Sequence, residues 1–337
     1  MQRTPRFAVL SALAAIALLI PASASAQEKG APQPKIVGGS ETTIAQYPWQ
    51  AAVVDTGSGN AHQRQFCGGS LLTSRIVITA AHCVVDTDPG DVDVVLGRTT
   101  LSDTSQGAEV GVSGVAHRSN YDDDYQGDGV PRFDVGYLVL NAPSLQPQIH
   151  IAGADERSLW DPGDPVEISG WGCTSEPISF ICSTSDTLRA ATVNVVSDGT
   201  CSADYGPDFD ATTMICAAAP GKDTCNGDSG GPLQAPIGGG LYRLVGITSW
   251  GDGCARPNAP GVYTRVADTT LKPLIESDVS MLESQFGLAP ESPGGSSTRS
   301  STKSAKHPFA KCKRIHNKKK RKRCTKKVRK KLQRNLG

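Results

Sequence analysis

Short apolar, β-branched runs recur along the middle of the chain, separated by clusters of Gly, Pro, Asp and Ser. They occupy residues 51–54, 70–79, 92–96, 110–116, 135–140, 166–170, 190–196, 241–250 and 261–266. Strands of this length, with frequent turn signals and little helical periodicity, predict an all-β barrel or sandwich. The 36 glycines and 22 prolines of the 337-residue chain suit a loop-rich β protein. One stretch reads differently. Leu271, Leu274, Ile275, Val279 and Leu282 fall at helical spacing and predict a core-packing helix over about residues 268–282, with Pro273 acceptable only in its first turn.

Beyond that helix the pattern stops. Residues 286–304 are rich in Pro, Gly, Ser and Thr and read as a flexible linker, and residues 305–337 form a Lys/Arg-rich tail. The near-neutral total charge hides an asymmetry. Residues 36–298 hold 12 Lys and Arg against 32 Asp and Glu, a net of −20; residues 299–337 hold 18 Lys and Arg and no acid, a net of +18. The run of cations at 318–323 makes the tail a candidate for polyanion binding, and its scarcity of aromatics argues against base stacking. The alternative is a solvated tail, or one docked on the acidic body.

At the other end, Arg3 and Arg6 precede a mainly apolar run at 7–20, too short for a span of about 20 residues, and Pro21 and Ala24-Ser25-Ala26 follow. This predicts a signal peptide at 1–26 and a secreted protein with no transmembrane segment. Ten cysteines fit an oxidising compartment and should be paired, although spacing alone does not choose among the connectivities. No His and Cys spacing points to zinc, and no cofactor is expected.

The candidate chemistry centres on residues 223–232, Asp-Thr-Cys-Asn-Gly-Asp-Ser-Gly-Gly-Pro. A serine hydroxyl needs a base to take its proton, and the base needs orienting. Ser229 is the candidate nucleophile. His82, in Thr79-Ala80-Ala81-His82-Cys83, is the candidate base, and Asp134, heading the apolar run 135–140, is the candidate carboxylate. A Gly-rich turn alone would not require Asp-Ser at its centre.

These motifs, in the order His, Asp, Ser, resemble those of the trypsin-like (chymotrypsin-fold) serine proteases, over residues 36 to about 282. The resemblance implies an all-β protease domain at 36–285: two six-stranded antiparallel β-barrels with a C-terminal helix, and a site in the cleft between the barrels. It implies Ser229 as nucleophile, His82 as general base and then acid, Asp134 as the group that orients His82, and the N–H groups of Gly227 and Ser229 as the oxyanion hole. Asp223 would sit at the floor of a pocket for Lys or Arg of protein or peptide substrates, with Thr224 beside it, Gly251 and Gly261 as walls and Asn226 at the entrance. Backbone groups of Ser249 and Gly251 would bind the extended substrate.

Lys35-Ile36-Val37-Gly38-Gly39 resembles the family's activation site. Residues 27–35 would be a pro-segment, and cleavage after Lys35 would free an Ile36 ammonium to pair with Asp228. The resemblance also implies the bridges Cys67–Cys83, Cys201–Cys216 and Cys225–Cys254, which leave Cys173–Cys182 and Cys312–Cys324 as local pairs. Arg98 stands where the family's first calcium-binding acid is expected, although Asp103 and Glu109 are present, so no metal is expected. A monomer is expected. The rival reading is a non-catalytic protease homologue serving as a polyanion- or surface-binding module.

Overall fold

The computed structural model describes residues 36–121, 131–177, 182–291, 310–313, 315 and 317–335. The expected signal peptide, the pro-segment with Lys35, and most of the linker lie outside the described residues.

Two antiparallel barrels carry the fold. The first is built from β2 (Gln50–Asp55), β3 (Gln65–Thr73), β4 (Ile76–Thr79), β5 (Val92–Leu96), β6 (Ala108–His117) and β7 (Gly136–Leu140), and closes in the order β2-β3-β4-β7-β6-β5. The second uses β9 (Pro165–Gly170), β10 (Arg189–Val196), β11 (Met214–Ala218), β12 (Pro232–Gly238), β13 (Leu241–Trp250) and β14 (Gly261–Arg265). It runs β10-β11-β14-β13-β12-β9, and the β9–β10 pairing closes it. Two short strands bind to it, β1 (Ser40–Glu41) on β10 and β8 (His150–Ile151) on β13. Each barrel has its own apolar centre. Leu71, Ile78, Val94 and Leu138 fill the first; Ile36, Ile168, Leu233, Val245 and Tyr263 belong to the second. Burying each large aliphatic side chain contributes about 1.5–3 kcal/mol.

Register positions the site. β4 and β7 pair with Thr79 opposite Gly136. The turn Ala81–Cys83 just past β4 therefore faces the residues just before β7, which brings His82 to Asp134. Gly136 permits this approach: a Cβ there would meet Val84 Cγ2 at 2.5 Å and Ala80 O at 2.7 Å. In the second barrel, Pro232 pairs with Ile247, and Trp250 pairs with Val262 across a bulge. The segment after Ser229, the end of β13 and the start of β14 therefore meet at one end of that barrel.

Some elements differ from the sequence pattern. The run 70–79 is two strands, turning at Ser74-Arg75, because Thr73 Oγ1 accepts from the N–H groups of Arg75 and Ile76. β12 alternates Leu233, Ala235 and Ile237 with Pro232, Gln234 and Pro236, and its two prolines keep it from reading as a strand. Its Gln234 is buried because it bonds Trp49 Nε1 at 2.8 Å and Ser169 Oγ at 3.2 Å. Two short helices also appear, α1 (Ala61–Arg64) and α2 (Asp198–Tyr205). The predicted C-terminal helix is α3 (Leu271–Phe286). Asp268 caps its start by accepting from the N–H groups of Thr270 and Leu271, and Gly287, at φ 63°, ends it. The helix outlasts the predicted end because Phe286 continues the stripe and packs on β6, where Gly114 leaves room. Beyond α3 the chain stays on the first barrel: Glu291 accepts from Ser74 N–H and Gln148 Nε2.

The tail contains α4 (Ala310–Lys313) and α5 (Lys318–Asn335), joined by Cys312–Cys324. Val328 of α5 packs against the first barrel's apolar cluster. The other four expected disulfides are also formed. Among the described residues, no helix is long and apolar enough to cross a membrane.

Candidate active site

Asp134 is fully buried and meets three donors. His82 Nδ1 lies 2.8 Å from Oδ2, the His82 backbone N–H donates to Oδ1 at 2.9 Å, and Ser249 Oγ donates to Oδ2 at 2.6 Å. Thr264 Oγ1 donates to the Asp134 carbonyl at 3.1 Å. Burial alone would lower the His82 pKa, but the charge of Asp134 and its hydrogen bond outweigh burial and raise it. The Nδ1 contact leaves Nε2 as the ring nitrogen available to the cleft.

Ser229 is half-buried and lines one cavity with His82. Its loop is gripped along its length. Asp228 N–H donates to Cys225 O at 2.9 Å, Gly230 N–H to Thr248 O at 2.8 Å and Gly231 N–H to Asp228 O at 2.9 Å. By contrast, the N–H groups of Gly227 and Ser229 donate to no protein acceptor among the described residues. Two unclaimed donors flanking the serine can receive an anionic oxygen. Gly227 has φ 93° and Gly230 φ 81°, conformations that a side chain would strain.

The cavity, about 150 Å³, runs from His82 and Ser229 down to Asp223. Thr224, Asn226, Ser249, Gly251 and Gly261 line it as expected, joined by Trp250 and the Cys225–Cys254 bridge. Asp223 Oδ2 accepts from Ala255 N–H at 2.9 Å, while Oδ1 is buried without a partner among the described residues. Burial pushes this carboxyl up to about 6 despite those donors. The two wall glycines differ. A Cβ on Gly261 would sit 2.6 Å from Asp223 Oδ1, whereas one on Gly251 would make only ordinary contacts at 3.6 Å and beyond.

Asp228 is sealed from solvent. Oδ1 accepts from Gly172 N–H at 2.8 Å and Oδ2 from Cys225 N–H at 3.0 Å. No cation faces it among the described residues, and burial pushes its pKa up to about 7. Gly170 and Gly172 form its cradle: a Cβ on Gly170 would strike Oδ1, and one on Gly172 would lie 2.5 Å from Cγ. Ile36 is fully buried, and Val37 bridges to Asp223, whose N–H donates to Val37 O at 3.1 Å. Ile36 itself has φ 36°, an unfavourable conformation for a β-branched residue.

Sequence reasoning missed several contributors: the Ser249 side chain on Asp134, the Gly170/Gly172 cradle, and Tyr263, whose hydroxyl lies 3.2 Å from Thr224 Oγ1 beneath the pocket. Each links positions far apart in sequence. The only local hint was Gly-Trp-Gly at 170–172. In the loop over residues 96–109, buried Arg98 donates to the carbonyls of Gln106 and Leu101, and Glu109 pairs with Arg64 at 2.8 Å.

Comparison with known proteins gives a consistent relationship. The profile of the family described as Trypsin matches residues 36–275. The chain is 42% identical over 233 residues to a trypsin of Saccharopolyspora erythraea, covering 68% of this chain and 93% of that protein. It is 39% identical over 244 residues to trypsin-1 of Astacus astacus, covering 69% and 95%. It is 38% identical over 237 residues to trypsin beta of Drosophila erecta, covering 69% and 85%.

Proposed function

The chain belongs to the trypsin family and is a trypsin-like serine endopeptidase, and we propose that it cleaves after Lys or Arg and is secreted as a zymogen activated by cleavage after Lys35. The specificity reading rests on Asp223, a buried carboxylate that lines the cavity with one oxygen unpartnered among the described residues. A Lys or Arg side chain would bring the missing cation and donors, as a charge-assisted pair.

In the reaction, Ser229 Oγ attacks the scissile carbonyl carbon as its proton passes to His82 Nε2. Asp134 holds the Nδ1 proton and stabilises the imidazolium. The carbonyl oxygen, now anionic, accepts from Gly227 and Ser229 N–H. Collapse expels the amine, which takes the proton from Nε2 and leaves an acyl-enzyme on Ser229. Water then repeats the sequence, with His82 as base, to release the acid. Ser249 and Gly251 backbone groups align the substrate strand, and Asn226 stands at the pocket mouth.

Activation follows from Asp228. A buried carboxylate lacking a counter-charge is unfavourable, and cleavage after Lys35 creates an ammonium on Ile36, next to the strand that already pairs with the pocket floor. Cleavage also frees the positive φ of Ile36, worth about 1–3 kcal/mol of backbone strain. The five disulfides fit an oxidising, extracytoplasmic compartment. On this reading the chain comprises a signal peptide at 1–26, a pro-segment at 27–35, the protease at 36–285, a linker at 286–304 and a basic tail at 305–337. Peptide-library cleavage by processed wild type and Ser229→Ala tests the function. Cuts after Lys and Arg, absent from Ser229→Ala, are expected; cuts spread over other residues would refute the specificity.

A second reading concerns the tail. On α5, Lys319, Lys320, Lys322, Arg323, Lys326, Lys327, Lys330 and Lys331 are exposed, while Cys324, Thr325 and Val328 are half-buried. At 3.6 residues per turn the cations cover an arc of about 180° along about 18 Å of axis. The helix lacks Trp and Phe, so it is poorly suited to membrane insertion. The tail therefore suits a linear polyanion bound through its backbone charges. Duplex DNA serves as the probe: Ser229→Ala protein should bind with steep salt dependence, and truncation at residue 290 should abolish it. Unchanged binding after truncation would refute this reading.

A further inference from the structure

Gln65, the first residue of β3, lies in the first barrel but its side chain reaches the Ser229 loop of the second. Its Nε2 donates to Gly227 O at 2.6 Å and to Cys67 O at 3.1 Å. Its Oε1 is buried and has no partner among the described residues. Reversing the amide would aim Oε1 at two carbonyl oxygens, so the two acceptors determine the orientation. We propose that Gln65 is a positioning residue that sets the angle between the two backbone donors at Gly227 and Ser229; the proposal rests on the reading of those donors as the oxyanion hole.

The anchor behind Gln65 is firm. α1 immediately precedes it, closed at its start by reciprocal bonds between Asn60 and Gln63. His62 Nε2 lies 2.9 Å from Thr184 Oγ1. Arg64 grips both Glu109 oxygens at 2.8 and 2.9 Å, and it donates to the carbonyls of Asp55 and Gly59. The Gln65 carboxamide therefore extends from a backbone with little freedom to shift.

The lever arm is equally defined. Gly227 O belongs to the peptide that separates the plane carrying Gly227 N–H from the plane carrying Ser229 N–H. Glycine restricts its own torsions weakly, so something else must fix that central plane. One edge is held by Asp228 N–H on Cys225 O at 2.9 Å, and the other by Gln65. The outer planes have separate holds: Asn226 O accepts from Cys173 N–H at 2.8 Å, and Asp228 O from Gly231 N–H at 2.9 Å. From the same strand β3, Gly68 N–H donates to Ser229 O at 2.7 Å. Of these holds on the backbone from Asn226 to Ser229, the Gln65 bond is the one made by a side chain, so substitution can remove it while leaving the others.

The test uses protein processed after Lys35, with Gln65→Met, which keeps the length but has no donor, and Gln65→Leu as a second variant. A peptide argininal adds to Ser229 Oγ and places its oxygen at the two donors; benzamidine occupies the pocket alone. Expected are a fall in kcat of about 10- to 100-fold with KM within about twofold, a matching loss of argininal affinity, and unchanged benzamidine affinity. Unchanged argininal affinity in both variants would overturn the proposal, as would parallel loss of benzamidine binding, the mark of a merely structural role. If wild type hydrolyses substrate yet argininal gains no affinity over benzamidine, the oxyanion reading itself fails, and the proposal with it.

Discussion

Asp134, at the edge of the first barrel, and Asp228, in the second, are both sealed from solvent, yet their surroundings differ in kind. Asp134 meets His82 through two bonds and Ser249 through a third, and these interactions hold its pKa down despite burial. Asp228 meets two backbone amides and no cation among the described residues, and burial pushes it up to about 7. The difference shows that burial does not by itself assign a role to a carboxylate. The first region has its partners before any processing. On the proposed reading, the second awaits the charge that cleavage after Lys35 would create on Ile36.

Four experiments would break or sharpen this contrast. The largest effect should come from Asp134→Asn in processed enzyme. An amide there presents the wrong partner to His82 Nδ1, and kcat should fall about 10⁴-fold, as known for this substitution in a related protease. A loss below tenfold would remove Asp134 from the chemistry.

Asp228→Asn should cost processed enzyme about 10²- to 10³-fold in kcat, the scale of losing an oxyanion donor. It should also change the pH dependence of the uncut chain. The folded Asp228 carboxyl titrates at about 7, whereas an unfolded one titrates near 4. Its contribution to stability is therefore full below about pH 4 and declines as pH rises to about 7. Denaturant unfolding of uncut Ser229→Ala, with and without Asp228→Asn, should show a steeper decline when Asp228 is present, since the raised Asp223 contributes its own decline in both.

Asp223 offers a smaller contrast, because a ligand rather than the chain supplies its cation. With the free carboxyl at about 6, benzamidine affinity should weaken as pH falls through that value, approaching tenfold per pH unit below it. Asp223→Ser should bind weakly at every pH. The smallest effect belongs to Ser249→Ala, which removes one of three donors to Asp134 and should lower kcat about three- to tenfold.

Legibility in the sequence follows the same division. Ser229, Asp223 and Asp228 share one decapeptide, and His82 and Asp134 each adjoin an apolar strand, so local pattern and motif reached them. The barrel strands with clean apolar runs were equally plain. Contacts that join distant segments were not: nothing local to Ser249 says that its hydroxyl turns toward a carboxylate 115 residues earlier, and nothing local to Gln65 says that it reaches a carbonyl 162 residues later. β12 was obscured by its two prolines, and the burial of its polar Gln234 depends on Trp49 and Ser169 from distant segments.

The most direct test of the contrast follows one purified full-length chain as Lys35–Ile36 is cut. An arginyl anilide reports activity while N-terminal sequencing reports the new Ile36 terminus. Hydrolysis should rise at least about 10²-fold, in step with appearance of that terminus, and should fail to rise in Asp228→Asn. Full activity with the Lys35–Ile36 bond intact would contradict the switch and, with it, the distinction between the two buried carboxylates.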